Sequence, residues 1–169
     1  MDILSTERLV LREFTSADAP FILQLLNDPS WLRFIGDRGV RTLADAEGYV
    51  AKGPAASYAR HGFGLWLVGR KGDGVPLGMC GLLKRETLDD VDVGYAFLPE
   101  FCGQGYAREA VAATLAHGRR AFGLKRIVAI TAPDNESSIR LLEKLGFRFE
   151  RLIAAAPGLP ASKLFASEP

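Results

Sequence analysis

From Arg8 to Phe14 the side chains alternate, with Leu9, Leu11 and Glu13 on one side and Val10 and Phe14 on the other, the period of a strand. Thr15-Ser16-Ala17-Asp18 then offers helix-capping side chains, and Pro20 suits a first helical turn. Ile22, Leu25 and Leu26 form a helical stripe that Asn27-Asp28-Pro29 stops. Trp31 to Arg41 shows no clean period. A second helix is expected from Thr42, whose spacing to Asp45 makes a capping box, with a break or kink at Gly53-Pro54.

After His61-Gly62 come three strand-like runs, Phe63–Gly69, Leu77–Leu83 and Val91–Leu98. Lys71-Gly72-Asp73-Gly74 and the polar segment Lys84–Asp90 separate them, and together they predict an antiparallel meander. Beyond Pro99 the period switches: Ala107, Val111, Thr114, Leu115, Gly118 and Phe122 share one helical face, and Gly123 stands at the C-cap. Arg126–Thr131 suits a buried strand. Ser138, Ile139, Leu142 and Leu145 mark another helix closed by Gly146, and Phe147–Ala154 and Ser162–Ala166 are two closing strands. The pattern predicts an α/β (α+β) fold, a mixed sheet of about seven strands flanked by about four helices. No repeat or linker interrupts it, so residues 1–169 are expected to form a single domain.

Composition narrows the partners. With 48% hydrophobic and 24% charged residues the chain is of ordinary globular make-up, and 21 basic against 20 acidic residues leave no field that favours nucleic acid or anionic lipid. No apolar run approaches the roughly 18 residues of a membrane span, and Glu7 and Arg8 follow a start without an apolar signal core. Cys80 and Cys102 lie far apart, in neither a zinc-ligand spacing nor a CxxC pair, which fits a reduced, cytoplasmic setting and no metal.

The informative stretch runs from Phe97 to Ala107, a strand passing through Gly103-Gln104-Gly105-Tyr106 into the long helix. Unpaired N–H groups at a helix start, the helix dipole and glycines without Cβ together make an anion site that fits a pyrophosphate. It is not a Walker A loop, which needs Lys and then Ser or Thr, nor the dinucleotide fingerprint, whose third glycine is replaced here by Arg108. The plainer reading is that Gly103 and Gly105 only turn the chain. Downstream, Asn135 and Ser138 lie three apart at a helix start and share one face; each is also a common capping or first-turn residue.

These segments resemble the GNAT acetyltransferases, whose Gln/Arg-x-x-Gly-x-Gly/Ala loop binds the cofactor pyrophosphate. Gly105-Tyr106-Ala107 matches the second half of that loop, and Cys102 departs from its first position. Asn135-Glu136-Ser137-Ser138, with Gly146-Phe147 at the end of its helix, resembles the branch of ribosomal-protein alanine N-acetyltransferases, as does the opening Thr6-Glu7-Arg8-Leu9-Val10-Leu11-Arg12. The resemblance implies the GNAT fold, acetyl-CoA as acyl donor, and a primary-amine acceptor that is either a small molecule or a protein N-terminus. It places cofactor contacts at Phe97, Leu98, Gly103, Gln104, Gly105, Tyr106, Ala107, Asn135 and Ser138. The pantetheine arm is expected where two parallel strands splay, on the backbone around Phe97 and Leu98, with an N–H near Leu98 polarising the carbonyl.

For catalysis, Asp92 in Asp92-Val93-Gly94-Tyr95 occupies the place of the family's Glu in Glu-x-Gly-Tyr, its shorter side chain implying action through a water; the alternative for Asp92, Asp89 and Asp90 is a solvated carboxylate. Leu142 stands where many members carry a tyrosine acid, which leaves Ser138 as the substitute. His61 and His117 are isolated and read as structural or exposed. Trp31, Phe34, Tyr58, Phe63 and Trp66 are core residues or acceptor-pocket walls. Arg33, Asp37, Arg38 and Arg41 lie in the segment that shapes acceptor choice in the family. Lys84-Arg85 is a solvated pair, or neutralises cofactor phosphates or an acidic substrate. A catalytically weak CoA-binding regulatory module is the competing function, and monomer and homodimer are both open.

Overall fold

Strand β1 (Asp2–Ser5) pairs antiparallel with β2 (Leu9–Arg12), in which Leu9 and Leu11 are fully buried while Val10 and Arg12 are half-buried. The computed structural model describes residues 2–154 and 161–169. Helix α1 (Ala19–Leu26) buries the expected Ile22, Leu25 and Leu26. A short helix α2 (Pro29–Phe34) follows, capped by Asp28 and started by Pro29, in the segment that shows no apolar period. Thr42 and Asp45 close their capping box at the start of α3 (Leu43–Val50). At Gly53-Pro54, where a break or kink is expected, the regular α-helix is interrupted but the chain stays helical. The chain widens into a π-helical turn, Ala51–Ala55, and continues as α4 (Ala56–His61). Proline has no N–H to donate and its ring crowds the preceding turn, and the wider turn absorbs both effects.

Strands β3 (Leu65–Arg70), β4 (Pro76–Leu83) and β5 (Asp92–Phe97) form the antiparallel meander. The long helix α5 (Tyr106–Phe122) leads to β6 (Ile127–Thr131), then to α6 (Glu136–Lys144), β7 (Arg148–Ala154) and β8 (Ala161–Ser167). The strand order is β1-β2-β3-β4-β5-β6-β8-β7, eight strands rather than about seven. The additional one is β1, whose two inner residues Ile3 and Leu4 are too few to show a period.

Two apolar layers clamp the sheet. On one face α5 and α6 cover Trp66, Cys80, Leu82, Val93 and Phe97, with Val111, Leu115 and Leu142 fully or almost fully buried. On the other, α1 and α3 cover Leu67, Met79 and Ala96. All neighbouring strands are antiparallel except β5 and β6, which are parallel and register only at Asp92 opposite Val128. Beyond that pair the two strands diverge, opening a gap in the middle of the sheet on the side where β5 runs into the glycine turn. No helix among the described residues is long and apolar enough to cross a membrane, and no cluster of three or more His, Cys, Asp or Glu there could hold a metal ion.

Candidate active site

Gly103 and Gly105 both adopt left-handed backbone, φ +78° and +83°, which an L side chain rarely takes. Gly105 is the N-cap of α5, and the N–H groups of Gly103, Gln104, Gly105, Tyr106 and Ala107 donate to no protein acceptor among the described residues. Five free donors converge at the positive end of a 17-residue helix. A Cβ on Gly105 would lie 3.3 Å from Arg8 Nη2, so the loop is also packed from behind.

That backing begins in the opening segment. Glu109, in the first turn of α5, accepts from Thr6 Oγ1 at 2.5 Å, from the Arg8 N–H at 2.9 Å and from Arg8 Nε at 2.7 Å. Arg8 Nη1 donates to the Gln104 carbonyl at 3.0 Å, and the guanidinium lies 4.4 Å from the centre of the Tyr106 ring. Burial alone would push the Glu109 carboxyl up; the hydrogen bonds from Thr6 and Arg8 outweigh it and hold the carboxyl below its usual range. The sequence placed Arg8 in a strand motif and gave no signal of this role, because the contact spans about a hundred residues.

Asp92 is only 1% exposed, so the expectation of a solvated carboxylate does not hold. Arg85 Nε donates to its Oδ1 at 3.0 Å, while Oδ2 is buried with no partner. Burial raises its pKa above the ordinary carboxylate value, and Arg85 only partly offsets this. Asp89 is exposed, and Asp90 pairs with Arg126 at 2.9 Å.

Asn135 caps α6, its Oδ1 accepting the Ser138 N–H at 3.3 Å. The Ser138 hydroxyl is 2.5 Å from the Tyr95 hydroxyl, a contact that links α6 to β5 beside the gap. Burial raises the Tyr95 phenol to about 12, so it is neutral and able to donate across the physiological range. Tyr95 was legible only as part of Asp-Val-Gly-Tyr, with no sign of its partner. Leu142, in the same helix, is fully buried in the core.

Alternation along β5 sorts these groups. Val93, Tyr95 and Phe97 face α5 and α6, whereas Asp92 and Ala96 face the opposite side, so Asp92 and Ser138 approach from opposite faces of the sheet. The Leu98 N–H already donates to the Leu77 carbonyl at 3.0 Å, which removes it as a donor to a substrate carbonyl. Given that bond and the antiparallel register, it is the Phe97 peptide that turns toward the gap.

The other sequence candidates pack in the core or pair with neighbours at the surface. Trp31 is buried and donates Nε1–H to the Gly36 carbonyl at 3.0 Å; Phe63 and Trp66 lie in the core under α5; Tyr58 links the Leu65 carbonyl to the Phe14 N–H. His61 stacks on Phe63, and His117 meets Trp66 edge-on. Arg41 pairs with Asp37, and Arg33 reaches Asp134 at 3.4 Å. Lys84 donates to the Leu88 and Arg85 carbonyls, bracing its own loop on the sheet face opposite α5 rather than serving the glycine turn.

The model of the acetyltransferase (GNAT) domain family matches residues 8–148. The chain is a GNAT acetyltransferase. A curated relative, the uncharacterized N-acetyltransferase YoaA of Bacillus subtilis, is 30% identical over 152 residues, 89% of this chain and 85% of its own length. A GNAT-family acetyltransferase from Bacillus anthracis superposes with a TM-score of 0.82 at 27% identity, over 99% of this chain and 98% of that one. The GNAT fold is shared as well by RimL, a ribosomal α-N-protein acetyltransferase solved with coenzyme A, at TM-score 0.84 and 20% identity over 99% and 98% of the two chains. As a GNAT enzyme the protein transfers acetyl groups, and the free donors of its glycine turn suit the diphosphate of an acyl-CoA.

Proposed function

We propose that residues 1–169 act as one N-acetyltransferase domain that moves the acetyl group of acetyl-CoA to a primary amine by direct attack within a ternary complex. The observation that carries this reading is the gap between β5 and β6, with the Gly103–Ala107 donors at its end and the Tyr95–Ser138 pair beside it. Bound there, acetyl-CoA supplies an activated acetyl thioester.

The chain's own groups supply the rest. Gly103, Gln104, Gly105, Tyr106 and Ala107 hold the diphosphate by backbone N–H groups. Phe97 offers its peptide group, Leu98 lines the turn, and Asn135 and Ser138 contact the ligand from α6. Asp92, on the other face, receives the amine proton through a water, which its raised affinity for protons favours. With Tyr95 as the donor in its contact with Ser138, the Ser138 proton is free to hydrogen-bond the departing sulfur. The acceptor is a small amine or a protein N-terminus. RimL, by its description a protein α-N-acetyltransferase, supports the second.

A regulatory CoA-binding module of weak activity has one observation in its favour: Leu142 fills the core where a tyrosine acid would stand. Free-thiol release from acetyl-CoA across amines and alanine- or serine-starting peptides separates the two. Amine-dependent release is the expected result; tight binding with no release from any acceptor would instead establish the module.

A further inference from the structure

Beside Asp92, on the same sheet face, lies a cleft of about 360 Å³ lined by Arg85, Thr87, Leu88, Ile130, Ile153 and Arg151 among others. Its floor is apolar, with Leu88, Val128 and Leu164 packed together and Ile130 and Ile153 against them. Among the described residues its charged lining residues are two arginines, Arg85 and Arg151. Arg85 uses Nε to hold Asp92, and its two terminal nitrogens donate to nothing among the described residues. Arg151 makes no ion pair among the described residues, and residues 155–160 contain no ionisable side chain. Two positive forks with spare donors, facing an apolar wall and joined to a buried carboxylate, form a site with two signs.

We infer that the acceptor is a primary amine that also carries a carboxylate, the amine directed to Asp92 and the carboxylate held by Arg85 and Arg151. This deepens the proposed function and rests on its assignment of the Asp92 face to the acceptor. A substrate carboxylate that engages the free terminal nitrogens of Arg85 leaves the Nε bond to Asp92 in place and sets the substrate's amine toward the Asp92 oxygen that has no partner. A cationic or purely apolar amine would leave Arg151 and the terminal nitrogens of Arg85 without a partner as it displaced their water.

The test pairs acceptors that differ only in charge: 4-aminobutyrate against 4-aminobutanamide, and the peptide amide Ser-Asp-Glu-Leu against Ser-Asn-Gln-Leu. Binding to the CoA-saturated protein is followed by titration calorimetry, and turnover by thiol release. The carboxylate members should bind roughly tenfold more tightly, and Arg151→Gln should erase that difference while the affinity for CoA is unchanged. Preference for the peptide pair or for the small pair identifies the source of the carboxylate. Equal binding of both members, or an equal effect of Arg151→Gln on both, overturns the inference. Because binding is read without turnover, failure of transfer alone would count against the proposed function and leave the charge preference to be judged on its own.

Discussion

Asp92 is the residue on which the proposed proton transfer turns. Its carboxyl is removed from water, holds one arginine by one oxygen and leaves the other oxygen without a partner. Burial disfavours the charged form, so its folded-state pKa lies above the ordinary carboxylate value. The sign follows directly: activity that needs the ionised base falls as pH drops through that raised value, and it falls at a higher pH than an exposed aspartate would give. Asp92→Asn should lower kcat by about a hundredfold or more, erase the acidic limb of the pH–rate profile and leave acetyl-CoA affinity nearly intact. Unchanged turnover would remove Asp92 as the base. None of this burial was legible in the sequence, where a carboxylate after Asp89-Asp90-Val91 looks like a solvated strand end; the enclosing groups, Arg85 and the facing strand at Val128, come from separate elements.

At the scale of elements, the glycine turn and its helix were legible because their signals are local. Glycines before a helix, a run of apolar residues at helical spacing and Gly123 at the C-cap all lie within one stretch, and α5 follows them as expected. The bracing of that turn was not. Thr6 and Arg8 hold Glu109 from the far end of the chain, and only the β2 pairing brings them there. Other departures are local signals that read differently in the fold: α2 forms from its Asp28 cap and Pro29 without an apolar stripe, and the chain passes Gly53-Pro54 as a π-helical turn between α3 and α4. The brace makes a pH prediction. Glu109 is held below the usual carboxylate range, so its contribution to stability is present above about pH 4.3, the ordinary value, and is lost as pH falls through the lowered one. Glu109→Gln should raise the KM for acetyl-CoA several-fold with kcat unchanged, and its deficit in thermal midpoint at neutral pH should shrink in acid. A deficit that is equally large in acid would show that Glu109 packs the helix rather than acting through its charge.

Across the whole molecule, the succession of elements along the chain was legible from the alternation of periods, a meander followed by strand, helix, strand, helix and strand. The order in the sheet, with β8 between β6 and β7, was not. What no local pattern could show is the single registered pair between β5 and β6, from which the sheet opens and which sets Asp92 on one face and Ser138 on the other. In the proposed mechanism, access from both sides of the gap lets acyl donor and amine meet without sharing a face. In that mechanism acetyl-CoA enters this gap with its diphosphate on the glycine turn. Titration calorimetry of acetyl-CoA into the wild-type protein and into Gly105→Glu, side by side, tests it most directly. Saturable binding to the wild type is expected, and none to a folded Gly105→Glu, whose added side chain would bring a negative charge into the donor cluster and strain the left-handed backbone. No binding to the wild type, or equal binding to both proteins, would contradict it.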